Sequence, residues 1–370
     1  MTLRRSARIV SAFAVIALVA ACATDPEDSE SGGDSTDAAE DWEPEFVDGE
    51  LQPLPDGFPD RPITIVNVDE AGSRDGIYAR TVDEALSGIS PVDVVVSDEP
   101  STQGGTVPTV ADVQNREGGP EYYPIIASVG GTATDFLVEP IEQDLGIGLD
   151  DINFLIATEV HPYIIVQRAD APWGTGFAEF VEYAQAHPGE LRYISQGVGA
   201  GQDIWMEWIM DALEIEVEKI PAAGADEAVA AVAAGEGDFS ATRPDVASAA
   251  EETGRANIIF FSSEDVPDGW TDKPGVQSAK DYESYGLPDA TWGVVLGFML
   301  PADVDELHAR WLYSLFEAAY ETDVYQQRLD TVAALQIQLR TTEEANDLAR
   351  TIYDFADPIV RAVGLHWEDN

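Results

Sequence analysis

Two polar turns carry the residues of this chain that are best suited to hold a small anion. The first turn comprises Ala71, Gly72, Ser73, Arg74 and Asp75. The apolar run 63–66 precedes it, and a helical pattern begins at residue 76. A strand, a turn and a helix N-terminus in this order direct backbone N–H groups and the positive end of the helix dipole at one point, which suits an anion. An ordinary connection between a strand and a helix has the same pattern.

A second turn of the same design lies more than a hundred residues further along the chain. It contains Ser195, Gln196, Gly197, Gly199 and Gln202. The apolar run 191–194 precedes this turn, and a helical pattern with Trp208 and Ile209 on one face follows it. Two such turns, far apart in sequence, predict one ligand held between two lobes.

Arg74 is a candidate for direct contact with a carboxylate, because its planar guanidinium can donate two parallel hydrogen bonds. A second interpretation is about as consistent with the sequence: a surface Arg74 would neutralise Asp69 or Glu70, which come just before the turn. Those two acids would repel an anion unless they face outward.

Arg243 and His161 are two further candidates for the ligand site. Arg243 follows a probable strand, so it could supply a cation at the lobe interface; the alternative is a salt bridge with Asp238 or Asp245. His161 precedes Pro162, where the chain is expected to cross between lobes, and a lone histidine there is more often structural.

The beginning of the chain predicts export and anchoring. Residues 1–21 combine an arginine-bearing start with an apolar run at 9–20, which is typical of a signal peptide and too short for a stable membrane anchor. Small residues before Cys22, the single cysteine, resemble a bacterial lipobox and predict a lipid on its thiol. A plain secretory peptide with an incidental cysteine is the alternative.

Residues 22–60 are expected to form an acidic disordered tether, because residues 23–60 contain fourteen Asp or Glu, no Lys or Arg, and few large apolar side chains. The whole chain has a formal net charge of −51, which argues against binding to nucleic acid or anionic lipid. With only three lysines, this composition fits either a surface adapted to high salt or the general composition of a lineage.

The remaining residues predict an α/β fold with mostly parallel sheets, because short apolar runs alternate with helical patterns. The predicted strands are 63–66, 92–96, 123–127, 154–156, 163–166, 191–194, 217–220, 258–261 and 294–299. The predicted helices are 76–86, 176–186, 203–213, 226–234, 303–322 and 342–363. Crossovers near 156–162 and 287–292 would form a hinge between a lobe of residues 61–160 plus 291–370 and a lobe of residues 161–290.

Catalysis is not expected from this chain. No Gly-x-Ser-x-Gly elbow and no His-Glu-x-x-His motif occur, and one cysteine excludes an intramolecular disulfide. We therefore predict no catalytic residues, no metal site and no cofactor.

Several motifs, in order, resemble the tripartite tricarboxylate transporter solute receptors, the TctC or Bug family. The opening RPITIVNVDEAGSRDGIYAR is similar to the family's strand, Ala-Gly-Gly-x-x-Asp loop and helix. The segments HPGELRYISQGVGAGQD, IPAAGADEAVAAVAAGEGDFSATRPD and ATWGVVLGFMLPADV resemble later family motifs, and Gly104-Gly105-Thr106 resembles its Gly-Gly-Thr segment. Two departures concern charge: Ser73-Arg74 replaces small residues, and Pro221 to Gly224 lacks a lysine common in relatives.

The resemblance implies a type II periplasmic-binding-protein-like clamshell that closes on a small carboxylate, such as a di- or tricarboxylate. It implies delivery to the large and small membrane subunits of a transporter, from a lipid-anchored monomer on the outer face of the cytoplasmic membrane. Carried over to this sequence, the family's binding turns are the two turns described above. A receptor that signals to a membrane partner is the alternative, because it would need the same closing clamshell.

Overall fold

The computed structural model describes residues 42–100, 106–197, 199–287, 292–332, 334–362 and 364–369. The predicted signal peptide, Cys22 and the first part of the predicted tether lie outside the described residues. So do Gly104 and Gly105 of the Gly-Gly-Thr segment.

The described strands extend most of the predicted apolar runs by a few residues. They are β1 Phe46–Val47, β2 Glu50–Leu51, β3 Ile63–Asn67, β4 Val94–Asp98, β5 Ile125–Ser128, β6 Ile152–Pro162, β7 Ile164–Arg168, β8 Leu191–Ser195, β9 Val217–Pro221, β10 Phe239–Thr242, β11 Ala256–Phe261, β12 Gln277–Ser278, β13 Gly293–Pro301 and β14 Gln336–Arg340. The long β6 is buried throughout except at Asn153, although it contains polar residues such as Glu159 and His161. The sequence pattern therefore predicts only its most apolar part, 154–156.

The described helices include several that the sequence pattern did not predict. They are α1 Arg74–Leu86, α2 Val107–Val113, α3 Val129–Val138, α4 Ile141–Leu145, α5 Phe177–Ala186, α6 Gly201–Ala212, α7 Ala225–Ala234, α8 Pro244–Glu252, α9 Glu306–Tyr320, α10 Asp323–Thr331 and α11 Thr342–Ala362. The unpredicted ones are α2, α3, α4, α8 and α10. Among the described residues, no helix combines the length and apolar character needed to cross a bilayer.

Two six-stranded sheets, counted over the described residues, organise the fold. One has the order β14-β6-β13-β5-β3-β4 and the other β12-β11-β7-β10-β8-β9. We name these sheets, with the helices packed on them, lobe 1 and lobe 2. The prediction of mostly parallel sheets is wrong, because β13 and β7 each run antiparallel to both of their neighbours. β7 is the first strand of lobe 2 and β13 is the strand that re-enters lobe 1, and β14 also pairs antiparallel with β6.

The chain leaves lobe 1 at Tyr163, the single residue between β6 and β7, and re-enters it at Trp292, just before β13. Ser262 holds this junction, since its hydroxyl accepts a hydrogen bond from the Tyr163 N–H at 2.7 Å and donates to the Trp292 carbonyl. The lobe boundaries predicted from sequence stay a proposal.

The predicted disorder of residues 22–60 is wrong for residues 42–60. These residues form the β1–β2 hairpin and bury Leu51, Leu54 and Phe58 at 5% exposure or less. Trp311 of α9 receives them: its indole N–H donates to the Gln52 carbonyl at 2.9 Å, and its ring meets Phe58 edge-on. Three well-spaced apolar side chains are enough to dock this acidic segment, because a folded lobe supplies the surface that the segment itself lacks.

Candidate functional site

A cavity of about 740 Å³ lies between the two lobes. Lobe 1 contributes Arg74, His161 and Arg328, and lobe 2 contributes Arg243 and Asp245. We name it the charged cavity. Among the described residues, no group of three or more His, Cys, Asp or Glu is placed to hold a metal ion.

Arg74 stands at the start of α1, where the first turn meets the cavity. The Ser73 hydroxyl caps this helix by accepting a hydrogen bond from the Gly76 N–H at 3.1 Å. Arg74 Nε donates to Asp75 Oδ1 at 2.6 Å, so Arg74 pairs with Asp75 and not with Asp69 or Glu70. Burial disfavours the charged guanidinium, but Asp75 and Asp245 outweigh it and raise the Arg74 pKa. Arg74 is therefore a permanent cation in the cleft.

The rest of the first turn is open to solvent. Asp69, Glu70, Ala71 and Gly72 are exposed, and none of them lines the charged cavity. The turn therefore presents Arg74 inward and keeps its negative charges outside.

Arg243 occupies the corresponding place in lobe 2, at the N-cap of α8. Its Nε donates to Asp245 Oδ1 at 3.2 Å, which confirms one of the two salt bridges considered from sequence. Asp238 is held elsewhere, by Arg168 and Arg192. Arg243 thus both pairs with Asp245 and lines the charged cavity. Each lobe presents an arginine whose own neighbour partly neutralises it.

Tyr163 is the single residue between β6 and β7, so its side chain lies at the crossover between the lobes. Burial raises its pKa to about 12, while the positive charges of Arg74 and Arg243 act in the opposite direction. A Cβ atom added at Gly201 would lie 2.5 Å from the Tyr163 hydroxyl. The first residue of α6 can therefore pack against this hydroxyl because it has no side chain. Tyr163 is 6% exposed, and its hydroxyl makes no hydrogen bond to any described residue. It is a neutral donor in the field of two arginines.

The second turn is more enclosed than the first. Ser195 is buried, and its hydroxyl accepts a weak hydrogen bond from the Gly197 N–H at 3.4 Å. The Gln196 amide donates to the Ala241 carbonyl within lobe 2, and Gln202 is mostly buried. Gly197 and Gly199 have φ values of +145° and +86°, which favour glycine. The helix that follows, α6, has no side-chain cap, unlike α1.

His161 belongs to a buried ionic network centred on Glu159. The Glu159 carboxylate accepts hydrogen bonds from His161 Nε2 at 2.9 Å, from Arg328 Nη2 at 2.6 Å and from the Tyr325 hydroxyl. Burial opposes ionisation of Glu159, but Arg328 and His161 outweigh it and lower its pKa to about 2. Burial lowers the pKa of His161, while the hydrogen bond and negative charge of Glu159 act in the opposite direction. His161 therefore has a structural hydrogen bond to Glu159, and it also lines the charged cavity, so its contact with ligand stays a prediction.

A second cavity, of about 400 Å³, lies on the opposite side of the crossover. Most of its wall is apolar, with Val160, Trp292 and Phe355, although Glu264 and Arg340 also line it, and we name it the apolar chamber. Trp292 also packs against Phe355, with ring centroids 5.2 Å apart. Tyr163 and Gly201 line this chamber as well.

Sequence reasoning missed the turn that opens α3. Ser128 caps this helix by accepting a hydrogen bond from the Gly131 N–H at 3.3 Å, and Gly130 lines the apolar chamber. The signal was present, because the apolar β5 followed by Ser-Val-Gly-Gly repeats the strand, turn and helix pattern of the first turn. Asp245 and Phe355 carried no such signal, because only the fold brings them to the cleft.

The sequence and the fold of this chain are similar to those of known proteins. The family model described as "Tripartite tricarboxylate transporter family receptor" matches residues 78–365. A relative from Bordetella pertussis, described as a UPF0065 protein, is 25% identical over 186 residues, which cover 50% of this chain and 55% of that protein. The matched region thus spans about half the length of that relative.

Two solved structures have a similar fold. The crystal structure of a TctC solute binding protein from Polaromonas, without ligand, is 20% identical with a TM-score of 0.69, and the match covers 82% of this chain and 99% of that chain. The R. palustris protein Rpa4515 with adipate is 17% identical with a TM-score of 0.64, and the match covers 83% and 98%. These matches confirm the two-lobed α/β fold expected from the sequence.

Proposed function

Since the chain belongs to the tripartite tricarboxylate transporter receptor family, we propose that it captures a small carboxylate between its lobes outside the cytoplasm. One observation carries this proposal: Arg74 of lobe 1 and Arg243 of lobe 2 line the same cavity between the lobes. Families of this kind are receptors, and the function proposed is binding, not turnover.

The two arginines suit a ligand that bridges the lobes. Asp75 engages Arg74 through Nε, and the two terminal nitrogens of Arg74 make no hydrogen bond to any described residue. Those nitrogens can donate to a carboxylate in the low-dielectric space between lobes, where charge-assisted hydrogen bonds are strong. A ligand that contacts both lobes binds their closed arrangement better than an open one, and this differential affinity drives closure.

The ligand class is a di- or tricarboxylate or a related organic acid. The adipate-bound R. palustris structure supports this class, since adipate is a dicarboxylate and the two proteins share their fold. The net charge of −51 repels an approaching anion. Within the cavity, the attraction of the arginines for the ligand must therefore exceed this repulsion. Added salt screens the distant acids more than the enclosed arginines, so binding would weaken less with salt than binding at an exposed cationic site.

Delivery to the large and small membrane subunits of a tripartite tricarboxylate-type transporter, from a monomer anchored by a lipid on Cys22, completes the proposal. The alternative is a sensing receptor that signals to a membrane partner. Genes for the two transporter subunits next to this gene would favour transport, whereas a neighbouring sensor kinase gene would favour sensing.

A thermal-shift screen of the purified protein against adipate, malate, citrate, benzoate and glutamate, at low and high salt, tests carboxylate binding. A ligand present at a hundred times its dissociation constant adds about 2.7 kcal/mol to native stability, which is readily measured. The double variant Arg74→Gln/Arg243→Gln should lose the shift. A shift that survives in the double variant, or no shift with any acid at either salt, would refute the proposed site.

A further inference from the structure

The helices α1 and α8 present the same pair of residue types to the charged cavity. Arg74 and Ile77 of α1 line it, and so do Arg243, the N-cap of α8, and Val246 within that helix. In both lobes the apolar residue comes three positions after the arginine. Residues three positions apart lie on one face of a helix, about 5 Å from each other. Each lobe therefore places an apolar side chain beside its cleft arginine.

The apolar side chains of the cavity keep part of their surface open. Ile77 is 50% exposed, and Val246 is only partly buried. Val332 of lobe 1 and Trp270 of lobe 2 also line the cavity and are also partly exposed. Apolar surface that packing leaves open is typical of ligand grooves. An apolar ligand held between the lobes would remove this surface from water, which favours binding.

Trp270 is fixed in its place at the C-terminal end of α8. Its indole N–H donates to Glu251 Oε2 at 2.7 Å, and its ring packs edge-on against Phe261, with centroids 5.3 Å apart. Lys273 Nζ pairs with the same Glu251 carboxylate at 2.6 Å, so the charge of this cavity-lining lysine is partly neutralised. The aromatic part of the lining is therefore formed before a ligand binds.

The remaining polar side chains of the lining favour one carboxylate over several. The hydroxyls of Ser248 and Thr331 each donate to a backbone carbonyl of their own helix. Asp226 and Glu252 are exposed acids, and they would repel a second carboxylate. The terminal nitrogens of Arg74, described above, are the donors that a single carboxylate needs.

We propose that the ligand of the charged cavity is a carboxylate with an apolar body. The carboxylate is bound between Arg74 and Arg243, and the body lies against Ile77, Val246 and Trp270. The protein then prefers alkyl and aromatic monocarboxylates to compact hydroxylated acids such as malate, whose hydroxyl would lose its hydrogen bonds against this surface. This inference rests on the proposed carboxylate-binding function and narrows the class of acid.

The double variant Ile77→Ala/Val246→Ala tests the apolar contact without touching the arginines. Isothermal titration of the wild-type protein should show hexanoate and benzoate binding at least tenfold more tightly than malate. The double variant should weaken hexanoate and benzoate at least fivefold and change malate less than twofold. The matched control is Leu145→Ala, at an exposed apolar helix position that lines neither cavity, and it should change none of the three affinities.

A second measurement covers the case in which the double variant does not fold. Crystals of the wild-type protein with 4-iodobenzoate should show anomalous iodine density beside Ile77, Val246 and Trp270. Iodine in the apolar chamber or on the outer surface would overturn the inference.

The outcomes separate the two proposals. If malate binds while hexanoate and benzoate do not, the preference for an apolar body is wrong and the receptor function stands. The inference is also wrong if Ile77→Ala/Val246→Ala folds and binds hexanoate and benzoate with wild-type affinity. If no carboxylate binds the wild-type protein, the proposed function and this inference fail together.

Discussion

Two arginine–carboxylate pairs in this protein use the same chemistry for different purposes. Arg328 and Glu159 are 6% and 0% exposed at their side chains and are linked by two hydrogen bonds of 2.6 and 3.0 Å. Arg243 and Asp245 are 16% and 31% exposed and are linked by longer bonds of 3.2 and 3.4 Å. The first pair joins α10 to β6, and the second joins neighbours at the start of one helix.

The difference shows which arginines are available to a ligand. Arg328 is 169 positions from Glu159, so only the folded lobe can bring them together, and the pair in turn fixes the strand that forms the crossover. Arg243 reaches Asp245 two positions away, within one short segment of the chain. A local, partly solvated ion pair can be rearranged at little cost in free energy. Breaking a buried pair costs more, because it leaves a buried charge without a partner.

The largest effect should follow from breaking the buried pair. Arg328→Met leaves the Glu159 carboxylate buried without its cation, and we expect a loss of about 3 to 5 kcal/mol in the free energy of unfolding. Urea denaturation measures this loss. The double variant Glu159→Leu/Arg328→Met should recover part of it, because no charge is then buried.

The control for that prediction is Arg361→Met, which breaks exposed pairs with Asp357, Glu368 and Asp369 and should cost far less stability than Arg328→Met. A similar cost for Arg328→Met and Arg361→Met would show that burial does not decide the strength of these pairs.

Asp135 extends the comparison to a largely buried carboxylate that has no arginine. Burial and the nearby Glu139 raise its pKa to about 7, against an ordinary value of 3.8. The folded state therefore holds its proton more tightly than the unfolded state, and stability falls as pH rises from about 4 to 7. Asp135→Asn should remove this fall, so its advantage over wild type should grow by about 2 to 3 kcal/mol between pH 5 and pH 8.

Chemical denaturation at both pH values measures the Asp135→Asn effect. Asp93→Asn, at an exposed position, controls for the loss of one negative charge. An advantage of Asp135→Asn that is the same at pH 5 and pH 8 would argue against a raised pKa.

Removing the cleft cation should affect binding more than folding. Arg243→Gln should weaken carboxylate binding about tenfold or more, equivalent to about 1.4 kcal/mol, and change stability by less than about 1 kcal/mol. Isothermal titration with the acid identified in the screen measures the affinity.

Arg168→Gln is the matched control for Arg243→Gln, because Arg168 also pairs with aspartates in lobe 2 but lies at the far end of β7. Equal losses of affinity in both variants would indicate that net charge, and not the cleft, controls binding.

The smallest effect should come from the acid that competes with the ligand. Asp245→Asn leaves Arg243 in place but removes a negative charge from the charged cavity. We expect carboxylate affinity to rise about two- to fivefold, with stability changed by about 0.5 kcal/mol or less. A loss of affinity in Asp245→Asn would mean that Asp245 positions Arg243 for the ligand and does not compete with it.

Local pattern was a good guide to the parts of this fold that depend on neighbours in sequence. The apolar run 63–66 and the turn after it correspond to β3 and the start of α1, because strand propensity, turn chemistry and capping are all local. The local sequence pattern did not predict α3, because Gly130 and Gly131 lower its helix propensity. Packing explains Gly130: a side chain there would come within 3.3 Å of Ile352 on α11.

The sequence by itself determined the alternation of strands and helices, the two turns and the family of the chain. Each of these depends on short contiguous motifs. Only the tertiary structure decided that Arg328 pairs with the buried Glu159 while Arg74 and Arg243 pair with nearby aspartates at the charged cavity, and that Val160 and His161 line different cavities. The physical reason is that burial and the side of a strand depend on distant elements packed against it, and no local pattern reports those elements.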